Sequence, residues 1–125
     1  MRDIAMPGRV IIAKELAEIF KLLAHPDRIR LIEELGNQEK TVGALAEETN
    51  LPATRVSQHL GLLRAHRIVE ERPEGRHRLY HLTQPELASW IVSGLDFIAG
   101  RGHAPDAKEI KKVRQQWEVG SFSSS

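Results

Sequence analysis

Between Leu51 and Leu82 the sequence concentrates side chains that can grip or read a polyanion. Thr54, Arg55, Ser57, Gln58 and His59 are interleaved with Val56 and Leu60. On a helix this spacing turns Val56 and Leu60 inward and leaves the polar set outward. Arg pairs bidentately with guanine, Gln pairs with adenine, and hydroxyls reach bases or phosphates. A second group, Arg72, Arg76, His77 and Arg78, gathers around Gly75. At the tip of a hairpin such a group touches phosphates or an adjacent minor groove. The cations of residues 51–82 are Arg55, Arg64, Arg67, Arg72, Arg76 and Arg78, against Glu70, Glu71 and Glu74. All are guanidinium groups, the cations suited to bidentate phosphate or guanine contacts. A chain of formal net charge +1 therefore carries a locally basic module.

Each residue also has a plainer reading. Arg55 and Gln58 are equally at home on a solvated helix face. His59 is either a phosphate contact or a half-buried prop for the turn. Arginines decorate the tips of many hairpins. Arg28 and Arg30 can touch phosphates, or pair with Glu33 and Glu34, Arg30 and Glu34 having i,i+4 spacing.

Other chemistries find little material. With no cysteine among 125 residues, disulfides, thiolate metal sites and thiol redox sensing are excluded. His77 and His81 are roughly 13 Å apart on a strand, and His59 and His66 roughly 10 Å apart on a helix. Asp106 stands near His103 with no second histidine close by. No metal site and no cofactor are expected. There is no nucleophile–base arrangement with recognisable context and no glycine-rich phosphate loop, and the Asp96/His103 pair is of a kind that arises by chance, so the chain is not expected to be an enzyme. No apolar run is long enough for a membrane helix, and Val10–Ala13 is too short for a signal peptide. The expectation is a cytoplasmic protein.

The elements that position these residues follow from periodicity. Residues 1–8 read as a flexible leader ending in the breaker Pro7-Gly8. Ile12, Leu16, Ile19, Phe20 and Leu23 mark one face of a first helix, and Ile11 and Leu22 widen it beyond what a single buried face needs. His25-Pro26-Asp27 starts a second helix, which Gly36-Asn37 ends. Thr41 caps a short third helix over 42–48. Thr49-Asn50 turns, and Pro52 opens a fourth helix to about residue 65. Residues 68–72 and 76–82 read as strands around a turn at Pro73-Glu74-Gly75. Thr83 to Glu86 has capping-box spacing before a fifth helix bearing Leu87, Trp90, Ile91, Leu95 and Ile98. Gly100-Arg101-Gly102 breaks the chain, residues 105–118 form a polar last helix, and Ser121–Ser125 read as disordered.

Three stretches in this order and spacing resemble the ArsR/SmtB-type winged helix-turn-helix repressors. They are residues 23–32 (Leu23-Ala24-His25-Pro26-Asp27 onward) with Leu45-Ala46, then Arg55 to Arg64, then Gly75 to Leu82. The resemblance runs from about Phe20 to Ile98. It implies a mainly α (α+β) fold of five to six helices with one two-stranded hairpin, the wing. It also implies a homodimer through the first and last helices, with an interface of Ile12, Leu16, Ile19, Phe20, Leu87, Trp90, Ile91, Leu95 and Ile98. The helix at 52–65 would read double-stranded operator DNA. The domain spans 9–101, followed by a polar extension over 102–125. Many members sense metal through cysteines at the start of the third helix or through Asp and His on the last helix. Here those places read Thr41-Val42-Gly43-Ala44-Leu45 and Glu86 to Asp96 and hold neither set. The expected function is sequence-specific transcriptional repression, with the inducer, a small molecule or a protein, unidentified. The alternative is a winged-helix module that grips a protein partner.

Overall fold

The computed structural model describes residues 6–99 and 107–122. Its elements run α1 (Met6–Leu23), α2 (Pro26–Leu35), α3 (Val42–Thr49), α4 (Ala53–Ala65), β1 (Val69–Glu74), β2 (His77–Leu82), α5 (Glu86–Ala99) and α6 (Ala107–Phe122). Residues 1–5 of the expected 1–8 leader, the break at Gly100 to Gly102 and residues 123–125 of the expected disordered tail lie outside the described residues, whereas Ser121 and Phe122 of that tail continue α6. None of the described helices is long and apolar enough to cross a membrane.

Helix boundaries follow local chemistry. At the start of α2 the His25 ring accepts the Asp27 N–H at 3.1 Å, and Pro26 occupies a position whose N–H would have no helical partner. Gly36, at φ 26°, ends α2 and donates its N–H to the Ile32 carbonyl. Thr41 Oγ1 accepts the Ala44 N–H at 3.1 Å to start α3. Asn50 closes α3 in the left-handed region at φ 59°, a conformation Asn tolerates better than most residues. The Pro7-Gly8 pair does not break the chain. It lies in the first turn of α1, where backbone N–H groups need no intrahelical acceptor.

The core gathers Leu31, Ile32 and Leu35 of α2, Leu45 of α3, Val56, Leu60 and Leu63 of α4, and Val69 of β1, all with no exposed surface. Thr49 is buried among them because its hydroxyl donates to the Leu45 carbonyl at 2.6 Å. Deleting one such leucine side chain costs about 2–5 kcal/mol. Every helix that frames the polar face of α4 is therefore anchored in one cluster.

β1 and β2 pair antiparallel from Val69↔Leu82 to Glu74↔His77. The turn is Gly75-Arg76 rather than the expected Pro73-Glu74-Gly75, with β1 running two residues further than the sequence pattern places it and Gly75 at φ 59°. Pro73 and Glu74 lie inside the ladder opposite Arg78 and His77. Proline is tolerated there because the hairpin has only edge strands. Lys40, in the α2–α3 connection, bridges Tyr80 on the free side of β2: Lys40 N–H donates to Tyr80 O at 3.0 Å and Tyr80 N–H to Lys40 O at 2.8 Å.

The ends of the chain pack differently from this core. Among the α1 residues whose side chains are described, only Leu22 and Leu23 are buried; Ile12 (61% exposed), Leu16, Ile19 and Phe20 are open, as are Val10 and Ile11. Phe20 stacks on Trp90 of α5 with ring centroids 5.7 Å apart. On α5, Leu87 and Ile91 pack against the main core, whereas Trp90, Phe97 and Ile98 are exposed. Leu95 is taken up within the chain, in a small cluster with Val92 and Ile110 of α6, and Arg114 of α6 hydrogen-bonds Asp96. An apolar recess of about 480 Å³ opens between Ile29 of α2 and Trp90, Gly94 and Ile98 of α5.

Candidate nucleic-acid interface

α3, the Asn50 turn and α4 set the geometry. Burial of Val56, Leu60 and Leu63 fixes the rotation of α4, so Thr54, Arg55, Ser57 and Gln58 all come out exposed. Four of the five expected α4 residues thus share one outer face. His59 does not join them. Its side chain is 12% exposed, and its Nε2 lies 3.4 Å from Asp27 Oδ2. Its Nδ1 is 3.4 Å from an Arg28 guanidinium nitrogen, and its ring centroid is 4.6 Å from that of His25. Burial holds its pKa below the ordinary histidine value, partly offset by Asp27. Of the two readings open for His59, the geometry matches the prop that ties α4 to α2.

Asp27 also lies 3.8 Å from Arg55 NH1. Arg28 is anchored by donating from Nε to the Leu22 carbonyl at 2.5 Å. His25, Asp27 and His59 have ligand-type atoms within 4.8 Å of one another, which poses the question of a cation. The donor set does not suit one. His25 Nδ1 already receives the Asp27 N–H, and two guanidinium groups flank the cluster. The site also sits at the positive end of α2, where an anion is favoured and a cation is not. The cluster has the chemistry of a carboxylate held between the Arg55 guanidinium and the His59 ring.

The wing arginines are in a different situation. Arg72 forks onto both Glu39 oxygens at 2.8–3.1 Å and also meets Glu74 at 2.9 Å. The Arg72 hydrogen bonds hold the Glu39 carboxyl below the usual glutamate value, and Glu39 pushes the Arg72 pKa further up. Glu71 takes Arg78 at 3.1 Å and Arg64 at 3.6 Å. His81 lies between Glu39 and Glu70, at 3.4 and 3.5 Å. Arg76 and His77 stand exposed at the tip, and Arg76 makes no ion pair among the described residues. The basic excess of residues 51–82 is therefore largely compensated, partly by carboxylates outside that window. Asp27 and Glu39 escaped the sequence reading because no local spacing links them to Arg55 or Arg72.

Beneath the wing, Lys40 Nζ sits 2.5 Å from Glu48 and 3.3 Å from Glu34. Nearby, burial first and then the Glu34 charge raise the Glu33 pKa to about 7, against the opposing pull of Lys40 and Arg30.

Residues 23–72, from the end of α1 to β1, match the helix-turn-helix domain family. An uncharacterized HTH-type transcriptional regulator of Mycobacterium tuberculosis (strain H37Rv), Rv0081, is 40% identical over 77 residues, which is 61% of this chain and 68% of the relative. The HTH-type transcriptional repressor SmtB of Mycobacterium tuberculosis (strain CDC 1551 / Oshkosh) is 34% identical over 98 residues, 78% of this chain and 70% of the repressor. Among solved structures, that of Rv0081 aligns with a TM-score of 0.62 at 35% identity, covering 70% of this chain and 89% of the other. That of the transcriptional repressor BigR from Xylella fastidiosa aligns with a TM-score of 0.61 at 30% identity, covering 84% and 100%.

Proposed function

Because the chain belongs to the ArsR/SmtB-type winged helix-turn-helix transcriptional regulators, we propose that it is a homodimeric, sequence-specific repressor that reads operator DNA with α4 and grips flanking phosphates with the wing tip. The observation that carries this reading is the outer face of α4. Thr54, Arg55, Ser57 and Gln58 stand exposed on a helix whose other side is fully buried. Such a helix can lie in a major groove without unfolding anything, and its side chains suit base edges.

The dimer is supported by the apolar surface of α1 and α5. Ile11, Ile12, Leu16, Phe20, Trp90, Phe97 and Ile98 are all exposed, and an uncovered apolar face of this kind marks an interaction site. A two-fold axis through this face sets two copies of α4 against successive major grooves, so half-sites stand roughly 10 bp apart. Leu95, already covered by α6, contributes less to that interface than Trp90 and Ile98. Repression follows from occupying a promoter, and the work is done in the cytoplasm, where the DNA is. An inducer, whether small molecule or protein, acts only by favouring a dimer geometry that fits DNA badly.

The test is fluorescence anisotropy on duplex DNA from the upstream region of the protein's own gene, against a scrambled duplex, over a salt series. Sequence-dependent binding that weakens steeply with salt supports the reading. Absence of DNA binding at low salt, together with a stable complex with another protein, overturns it in favour of a protein-binding module. Trp90→Glu in the same assay should yield monomers by sedimentation and lose operator binding.

A further inference from the structure

Arg55 does not stand alone on α4. From α2, outside the helix-turn-helix, Asp27 brings its carboxylate to 3.8 Å from Arg55 NH1 and 3.4 Å from His59 Nε2. The carboxylate side chain is 17% exposed while that of Arg55 is 54% exposed. The guanidinium is thus backed by the protein on one edge and open to solvent on the other. The geometry points to Asp27 as a specificity-determining positioning residue, a buttress that holds the Arg55 fork for a bidentate base contact. This inference rests on the proposal that α4 reads DNA.

A free arginine side chain has many rotamers, and ordering it on binding has an entropic cost. A carboxylate that restrains one edge in the free protein removes part of that cost, because the planar fork then presents its remaining donors in a fixed direction. Asp27 is itself well fixed. It lies in the first turn of α2, its backbone N–H is held by His25, and His59 packs against it from α4. Because the Arg55 guanidinium offsets the carboxylate charge, the repulsion of phosphates by Asp27 is small beside its effect on Arg55. A phosphate can be met by a guanidinium in many orientations, whereas the O6 and N7 of guanine require one. Removing the buttress should therefore harm base reading more than phosphate contact.

The experiment is a double-mutant cycle read by anisotropy on the operator, on operators substituted one base pair at a time, and on a scrambled duplex. Asp27→Asn should weaken operator binding by about three- to ten-fold, the size of coupling expected between touching residues. It should flatten the base preference at one position per half-site and leave the scrambled duplex nearly unchanged. In the Arg55→Ala background the same change should have no effect, and Asp27→Glu should recover part of the loss. Thermal melts of each variant keep folding separate from reading. Tighter operator binding by Asp27→Asn would mean that the pair must break on DNA, and overturns the inference. An equal loss on every duplex, or a loss that persists without Arg55, also overturns it by reducing Asp27 to a structural role. If the unaltered chain binds no duplex at all, the proposed function falls and the inference with it. Sequence-specific binding indifferent to Asp27 sinks the inference alone.

Discussion

α4 and the hairpin both present arginine to solvent, but they surround it differently. On α4, Arg55 has a single, longer contact with one carboxylate, and its neighbours Thr54, Ser57 and Gln58 are uncharged. On the hairpin, Arg72 and Arg78 are each met by carboxylates at 2.8–3.1 Å. The same residue type is thus left open to a ligand in one place, as the proposed reading role of Arg55 needs, and tied down in the other. Exposed ion pairs of the second kind contribute little to stability, about 0–1 kcal/mol, but they do neutralise the field that a duplex would feel. Counting arginines overstates the wing and understates α4.

The contrast can be broken most decisively at Arg55. Arg55→Ala should cost about 1–3 kcal/mol of operator binding and relax preference at one base position; an unchanged base profile removes Arg55 from the reading set.

A second effect, on stability, separates the charge network under the wing from α4. Glu33 has its pKa raised from the ordinary 4.5 to about 7, so the folded chain binds this proton more tightly than the unfolded chain. Stability is highest below about pH 4.5 as far as this group is concerned, and falls as pH rises through 4.5 to about 7. Glu33→Gln should flatten that slope and raise stability at pH 8 by on the order of 1 kcal/mol, solvent screening of a half-buried side chain being allowed for. Urea melts at pH 5 and pH 8 decide it. A variant with the same pH slope as the parent shows that the proton resides elsewhere.

Smaller still is the effect at the wing tip. Arg76→Ala should weaken operator and scrambled duplexes alike by a few-fold, and reduce the slope of log K against log salt by about 0.9 for each of the two wings of the dimer. The smallest is at Arg72, where Ala should change DNA affinity by less than about two-fold because Glu39 and Glu74 already hold the guanidinium. A loss at Arg72 as large as that at Arg76 would erase the distinction between paired and unpaired wing arginines.

The ends of α2 and α3 and the start of α4 were legible because the causes are local, unlike the start of α1, where Pro7-Gly8 falls inside the helix. His25-Pro26-Asp27, Thr41 and Asn50 each act within four residues, and the alternation of Val56 and Leu60 with Arg55, Ser57 and Gln58 fixes which side of α4 faces out. What escaped depends on long-range packing. The inward turn of His59 requires α2 beside α4, and the silencing of Arg72 requires Glu39 from the α2–α3 connection. Leu95 reads as interface from its own helix because nothing in α5 announces that Ile110 will cover it. The end of β1 reads two residues early because Pro73 resembles a turn residue until the strand is known to be an edge.

The bridge between Lys40 and Tyr80 has a consequence beyond holding three segments together. A hairpin braced from its free side to the connection between α2 and α3 is a stiff arm, with little freedom to swing toward a displaced phosphate. When the spacing between groove and tip does not match, the duplex has to bend. The energy of that bend is set by the stacking of base steps that no side chain touches, and pyrimidine–purine steps yield most readily. On the binding mode proposed above, some of this protein's choice among operators is written in the flexibility of the DNA between groove and wing tip.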